Sequence, residues 1–217
     1  MLIYYMKKAT YLLVLSILCI NTMSAQKNWN DRNNSSSENR WTFGFGVNAL
    51  ENSGNQFEGA FKSENWAIAK TPFYLSADAY IDGQFSVETM VSFNYFTDGV
   101  LMDGQTILGE DEGGNDAGYF AVDLALKYSF GKLLDSNVFD PYLSVGAGLS
   151  HFGDYTTKER PSETIVSQDI FTLNAGLGMN FWFSSNWGVN LNAAGKWGIA
   201  ATYTNHIQGR LGVLYKI

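Results

Sequence analysis

The stretch from Ile170 to Gly198, IFTLNAGLGMNFWFSSNWGVNLNAAGKWG, alternates with a period of two. Phe171, Leu173, Ala175, Leu177, Met179 and Phe181 fall on one side, and Thr172, Asn174, Gly176, Gly178 and Asn180 on the other. Successive side chains of a strand point to opposite faces, so this run is a strand with one apolar and one polar face. A short polar turn follows at Ser184-Ser185-Asn186. Then Trp187, Val189, Leu191 and Ala193 oppose Gly188, Asn190, Asn192, Ala194 and Lys196. The pair predicts a hairpin. Each run is close to the length that crosses a bilayer at a tilt, about ten residues.

The same alternation recurs in both directions. Working outward, it predicts strands at 41–50, 72–81, 85–96, 119–130, 139–150 and 206–217, which with the hairpin makes eight. Pro72 opens the second of these, a position that tolerates a residue with no N–H to donate. Long loops are expected at Glu51–Thr71, Thr97–Gly118 and His151–Asp169, a medium turn at Gly131–Val138, and a short loop at Ile199–Asn205. The repeated unit is a hairpin, not a sequence repeat.

Composition narrows the setting. Charged residues are 16% of the 217-residue chain, against a usual quarter, while aromatics reach 15%. Mean hydropathy is near zero, as it must be where apolar and polar residues alternate along every span. Lys7 and Lys8, the apolar run Tyr11–Ile20 and the small residues Ser24-Ala25 read as a signal peptide over 1–25, too short for a spanning helix. Residues 26–40, rich in Asn and Ser, are expected to be a flexible leader, and 41–217 the barrel. The lone cysteine, Cys19, lies within the signal, so no disulfide or thiol chemistry is expected in the mature protein. Removing Lys7 and Lys8 from the 14 basic residues leaves 12 against 21 acidic ones, a balance that argues against nucleic acid as a partner.

The apolar faces of all eight predicted spans carry no Asp, Glu, Lys or Arg. A Lys or Arg facing lipid near the midplane costs about 2–4 kcal/mol, so this is the pattern lipid exposure demands. A soluble, lipocalin-like barrel would reverse the faces and need a well-charged exterior, about a quarter to a third ionic. Here the polar face is mostly small and uncharged, and aromatics such as Trp41, Phe73, Tyr95, Phe181 and Trp187 sit near strand ends as girdles do. The sequence therefore predicts an all-β fold, a closed eight-stranded antiparallel up-and-down transmembrane β-barrel with both termini on the periplasmic side.

Four short segments carry a resemblance: Ser24-Ala25-Gln26, Tyr128-Ser129-Phe130-Gly131-Lys132, Phe139-Asp140-Pro141-Tyr142 and Asn205-His206-Ile207-Gln208. Through them the chain resembles the eight-stranded outer-membrane β-barrel family, the barrel domain of OmpA-type proteins, in versions from Bacteroidetes-type bacteria. The resemblance implies a place in the outer membrane of a Gram-negative cell, in contact with its lipid, and insertion as a monomer by the barrel assembly machinery. Family members usually end in an aromatic residue, whereas this chain ends Tyr215-Lys216-Ile217. Longer relatives add a periplasmic peptidoglycan-binding domain, which is not expected here.

The inward charges are the candidate site: Asp78, Glu88, Asp123, Lys127, Lys196 and Arg210. Asp78 and Glu88 flank the turn at Gly83 symmetrically, so they face each other across a hairpin. Two carboxylates in a confined lumen repel unless a cation bridges them, so Lys127 and Arg210 are expected to complete an ion-paired plug, with Asp123 and Lys196 as a second tier. The acidic run Asp103–Asp116 lacks the ordered spacing of a calcium loop and reads as a solvated outer loop. His151 and His206, the only histidines, lack the spaced Ser partner and supporting acid of an enzyme. No catalysis, cofactor or metal is expected. The expected role is structural, envelope integrity and display of surface loops. A small low-conductance, porin-like channel and a loop-mediated surface binding protein or adhesin are the alternatives.

Overall fold

The computed structural model describes residues 41–53, 62, 65–199 and 205–217. The expected signal peptide, the leader and parts of two predicted loops lie outside the described residues. Thirteen strands are present among those described: β1 Trp41–Glu51, β2 Trp66–Ala67, β3 Ala69–Asp82, β4 Phe85–Phe96, β5 Leu101–Met102, β6 Gln105–Thr106, β7 Ala117–Ser129, β8 Phe139–Phe152, β9 Tyr155–Thr157, β10 Arg160–Ile165, β11 Gln168–Trp182, β12 Trp187–Gly198 and β13 His206–Lys216. Eight of them are long. They pair antiparallel in the order β1, β3, β4, β7, β8, β11, β12, β13, and β13 pairs back onto β1 from Thr42↔Lys216 to Glu51↔Ile207. The closure leaves no wall strand with an open edge, which is what a sheet in hydrocarbon requires. No helix among the described residues is long and apolar enough to cross a membrane.

The faces are turned as a lipid setting demands. Phe45, Leu143, Leu177 and Leu211 are 51–61% exposed on the outside of the wall. Glu88, Asp123, Lys127, Lys196 and Arg210 are buried inside it. A lipocalin-like barrel would show the reverse. The molecule is a transmembrane β-barrel with a polar interior. Rings cluster on the short-turn rim: Phe85 meets Tyr128, Tyr128 meets Phe130, Phe139 meets Phe181, and Trp187 meets Tyr215, with centroids 4.7–5.2 Å apart.

Three sequence expectations need correction. The second wall strand starts at Ala69, not Pro72, so Pro72 lies within it. The register slips between Ala69 and Phe73, and Pro72 sits in that irregular step, where no ladder N–H is required. The wall strands β7, β8 and β11 also run past the predicted spans at the loop end, where His151 and Asp169 pair at 2.8 Å on the outside. And the segments read as plain loops contain strands of their own: β5 pairs β6, and β9 pairs β10.

Those loops are stitched together. Asn52 bridges Met102, Ile107 bridges Thr157, and the Lys158 N–H donates to the Thr106 carbonyl at 2.8 Å. Beneath them lies an apolar cluster of Leu50, Phe96, Met102, Ile107, Phe152, Tyr155 and Ile170, all at most 5% exposed. Each such side chain contributes about 1.5–3 kcal/mol on burial. The loop end of the lumen is therefore roofed by hydrocarbon.

Candidate functional site

Below that roof the interior is held by ions. The β3–β4 turn at Gly83 sets the register that places Asp78 opposite Glu88. On β7, Lys127 pairs with Ser86 and so projects into the same level. Its Nζ lies 2.5 Å from Asp78 Oδ2 and 3.0 Å from Glu88 Oε2. The other oxygen of Glu88 takes Arg210, at 2.5 Å. The backbone of Arg210 lies opposite Asn48 and Asn192, and its Nε donates to Asn192 Oδ1 at 3.0 Å. Every one of these bonds joins strands that are not neighbours in the wall, apart from the Lys127–Glu88 and Arg210–Asn192 pairs. They act as cross-struts.

Aromatic side chains complete the level. Lys127 Nζ sits 4.2 Å from the Tyr142 ring centre, and the Arg210 guanidinium 5.4 Å from that of Tyr74. Room for these rings comes from glycine: a Cβ on Gly178 would collide with Tyr142, and one on Gly212 with Tyr74. The paired strand glycines thus serve the packing of a narrow lumen.

The structure also joins Asp123 and Lys196, at 2.7 Å. Asn174 donates to the other Asp123 oxygen at 2.7 Å, and Lys196 to the Tyr119 hydroxyl at 3.1 Å. This second level meets the underside of the roof, because Tyr119 belongs to the apolar cluster. Three carboxylates thus meet three cations across the lumen. A charge taken out of water is tolerable only when paired and hydrogen-bonded, and all six are.

Sequence reasoning missed two parts. His206 is more than a strand start: it is buried against the Tyr119 hydroxyl, Nε2 to Oη 3.1 Å, and its ring packs on Phe152. Its inward parity with Gln208 and Arg210 was the available signal. The apolar roof carried no signal of period, since its residues come from strand ends and three loops. The acidic loop, in turn, is cross-linked rather than simply solvated. Lys70 pairs with Glu110 and Asp116, and Lys158 with Asp98 and Glu112.

Toward the short turns the interior opens into a vestibule of about 430 Å³, with Asp78, Glu88 and Lys127 at its inner end and Asp140, Asn180, Trp182 and Lys216 along its sides. Lys216 Nζ lies 3.4 Å from the Trp182 ring centre. The passage therefore has one open end and one closed end.

No protein-family model matches the sequence, and no curated protein matches it. Solved structures do match in fold. The outer-membrane protein OprG from Pseudomonas aeruginosa aligns with a TM-score of 0.53 at 15% identity, over 82% of this chain and 96% of that one. The outer-membrane protein AlkL, solved in lipid bilayers, gives 0.51 at 15% identity over 88% and 96%. Neisserial surface protein A gives 0.50 at 14% identity over 83% and 98%. At these identities the likeness is one of fold: that of outer-membrane β-barrels.

Proposed function

We propose that this protein is a monomeric component of the Gram-negative outer membrane, targeted by residues 1–25 and inserted by the barrel assembly machinery. Its role is structural, stiffening the envelope and presenting stitched surface loops, without catalysis. The OmpA-type, Bacteroidetes-like origin suggested by the short segments belongs to the same proposal. One observation carries the reading: the lumen is crossed at two levels by buried ion pairs and roofed by hydrocarbon. A passage blocked three times serves as a strut better than as a conduit.

Planar-bilayer recording tests it. The intact chain is expected to show no steady conductance, and Lys127→Ala no more than brief openings, because the Asp123–Lys196 level and the roof remain. Steady ohmic current through the unaltered protein would replace this reading with that of a small channel. The exposed strand β10, which pairs with the buried β9, favours the second alternative, a loop-mediated binding protein. Deleting residues 158–164 and measuring binding to host cells or phage separates that reading from a purely structural one.

A further inference from the structure

The turn joining β7 to β8 differs from the other turns at its end of the barrel. Asp82-Gly83-Gln84 is polar and the β11–β12 turn exposes one apolar side chain, Phe183 at 69%, whereas this one carries three, Leu133, Leu134 and Val138, at 63%, 54% and 59% exposed. It forms a helical turn: the Leu134 N–H donates to the Phe130 carbonyl at 3.0 Å, and the Ser136 N–H to the Gly131 carbonyl at 3.1 Å. Asp135 closes it in the left-handed region, at φ 49°.

In a helical turn, residues three and four apart share a side. Leu133 and Leu134 therefore fall on the same side of the turn as Phe130, which follows β7 directly and sits edge-on to Tyr128 in the rim of rings. That side therefore adjoins the rim of rings at the end of the lipid-facing wall. Lys132 turns the other way, its Nζ 5.5 Å from the Tyr80 ring centre. Much of the turn's backbone is also paired from within. Gly131 N–H bonds Asp140 Oδ1 at 3.1 Å, and Ser136 Oγ accepts from the N–H groups of Val138 and Phe139. Backbone groups already paired are what entry into a low-dielectric layer requires.

We infer that this turn is a membrane anchor: Leu133 and Leu134 insert into the phospholipid leaflet on the short-turn side and fix how deeply the barrel sits. The occupant is lipid because the exposed leucines share a side with Phe130, beside the rim of rings that ends the lipid-facing wall. An apolar face lodged this way lies about 5–10 Å into the headgroup and acyl boundary.

The test uses the full chain in phosphatidylcholine vesicles, with Cys19→Ser to leave one label. A fluorophore on Leu134→Cys is compared with one on Leu143→Cys in the belt and one on Ser185→Cys in a polar turn. Acyl-brominated lipid is expected to quench the label at 134 nearly as well as at 143, with aqueous iodide quenching only the label at 185. Strong iodide quenching at 134 without bromine quenching overturns the anchor and leaves the leucines free for a periplasmic protein. If labelling prevents folding, the unsubstituted chain in lipid nanodiscs answers the same question by NMR. Leucine methyl contacts with acyl protons support the anchor, and contacts with water alone overturn it.

Discussion

At the loop end, Phe96, Ile107, Phe152 and Ile170 exclude water with hydrocarbon, whereas nearer the short turns Asp78, Glu88, Lys127 and Arg210 span the lumen as ions. The difference follows from where each group sits. Loop residues are free of the wall's alternation, so they can fold an apolar roof over the opening. Inside the wall every second side chain must point inward while its neighbours serve the lipid. The inward set is polar and packed into a narrow lumen with little room for water, so its charges must satisfy one another. Hydrophobic burial is non-directional and tolerates rearrangement, but a buried ion pair fails when one partner is lost.

That contrast breaks most visibly at Lys127. Replacing it by Ala leaves Asp78 beside Glu88 with Arg210 on only one of them. Removing one member of a buried pair costs about 3–5 kcal/mol, which urea unfolding in vesicles would register as a lower midpoint at unchanged slope. Lys127→Met together with Asp78→Leu removes a charge of each sign and should recover much of the loss. A single variant as stable as the parent would mean that the struts are idle.

In the roof, Ile107→Ala should cost about 2–5 kcal/mol at most, with the smaller values if the loops settle into the space. Its distinguishing mark is place. Amides of residues 101–107 and 155–157 should lose hydrogen-exchange protection, while those around Lys127 keep theirs. Equal loss at both levels would make roof and struts one cooperative unit and erase the distinction.

How much of this was legible depends on which rule fixed the position. The wall was legible because a period of two, repeated eight times, leaves little choice: β4 and β12 start and stop where Phe85, Phe96, Trp187 and Gly198 predict. The meeting of Asp78 with Glu88 follows from counting outward from Gly83, and Lys127 from its parity on β7. Long-range placement was not legible. Nothing in the sequence near Thr157 says that it will bridge Ile107, and Pro72 looked like a boundary because an irregular register is invisible to alternation. Arg210 lay between these cases. Its parity put it inside, but its reach to Glu88 depends on how the closed wall sets β13 across from β4.

Glycine sharpens the comparison further, with a smaller effect. A Cβ on Gly46 would strike the backbone of Leu211 and Gly212, whereas one on Gly209 would only touch the Trp66 ring at 3.5 Å. Gly46→Ala should therefore cost about 1–3 kcal/mol through overpacking at the β1–β13 closure. Gly209→Ala should be nearly silent in the same unfolding assay.

The weakest effect belongs to the outer loops, where ions are exposed. Asp98 accepts from the Gly109 N–H at 3.1 Å and pairs with Lys158 at 3.0 Å. The Gly109 bond first, and Lys158 second, hold its carboxyl below the ordinary range. Lys158 is raised in turn, chiefly by Asp98. The signs fix a window. A depressed carboxylate stabilises the loop above its unfolded value of about 3.9, and that support fades as pH falls through the lower folded value. A raised lysine stabilises it below about 10.4 and loses effect as pH rises through the higher folded value. Protection of the Gly109 amide should thus be flat between those limits and fall at both ends. Salt should shrink the effect, since exposed pairs are screened. The variant Asp98→Asn keeps an acceptor for Gly109 but no charge, so it should flatten the acid limb and leave the lumen pairs untouched. A Gly109 amide whose protection in the parent ignores pH down to full protonation of Asp98 would show that this tie is decorative, and that the roof is held by hydrocarbon alone.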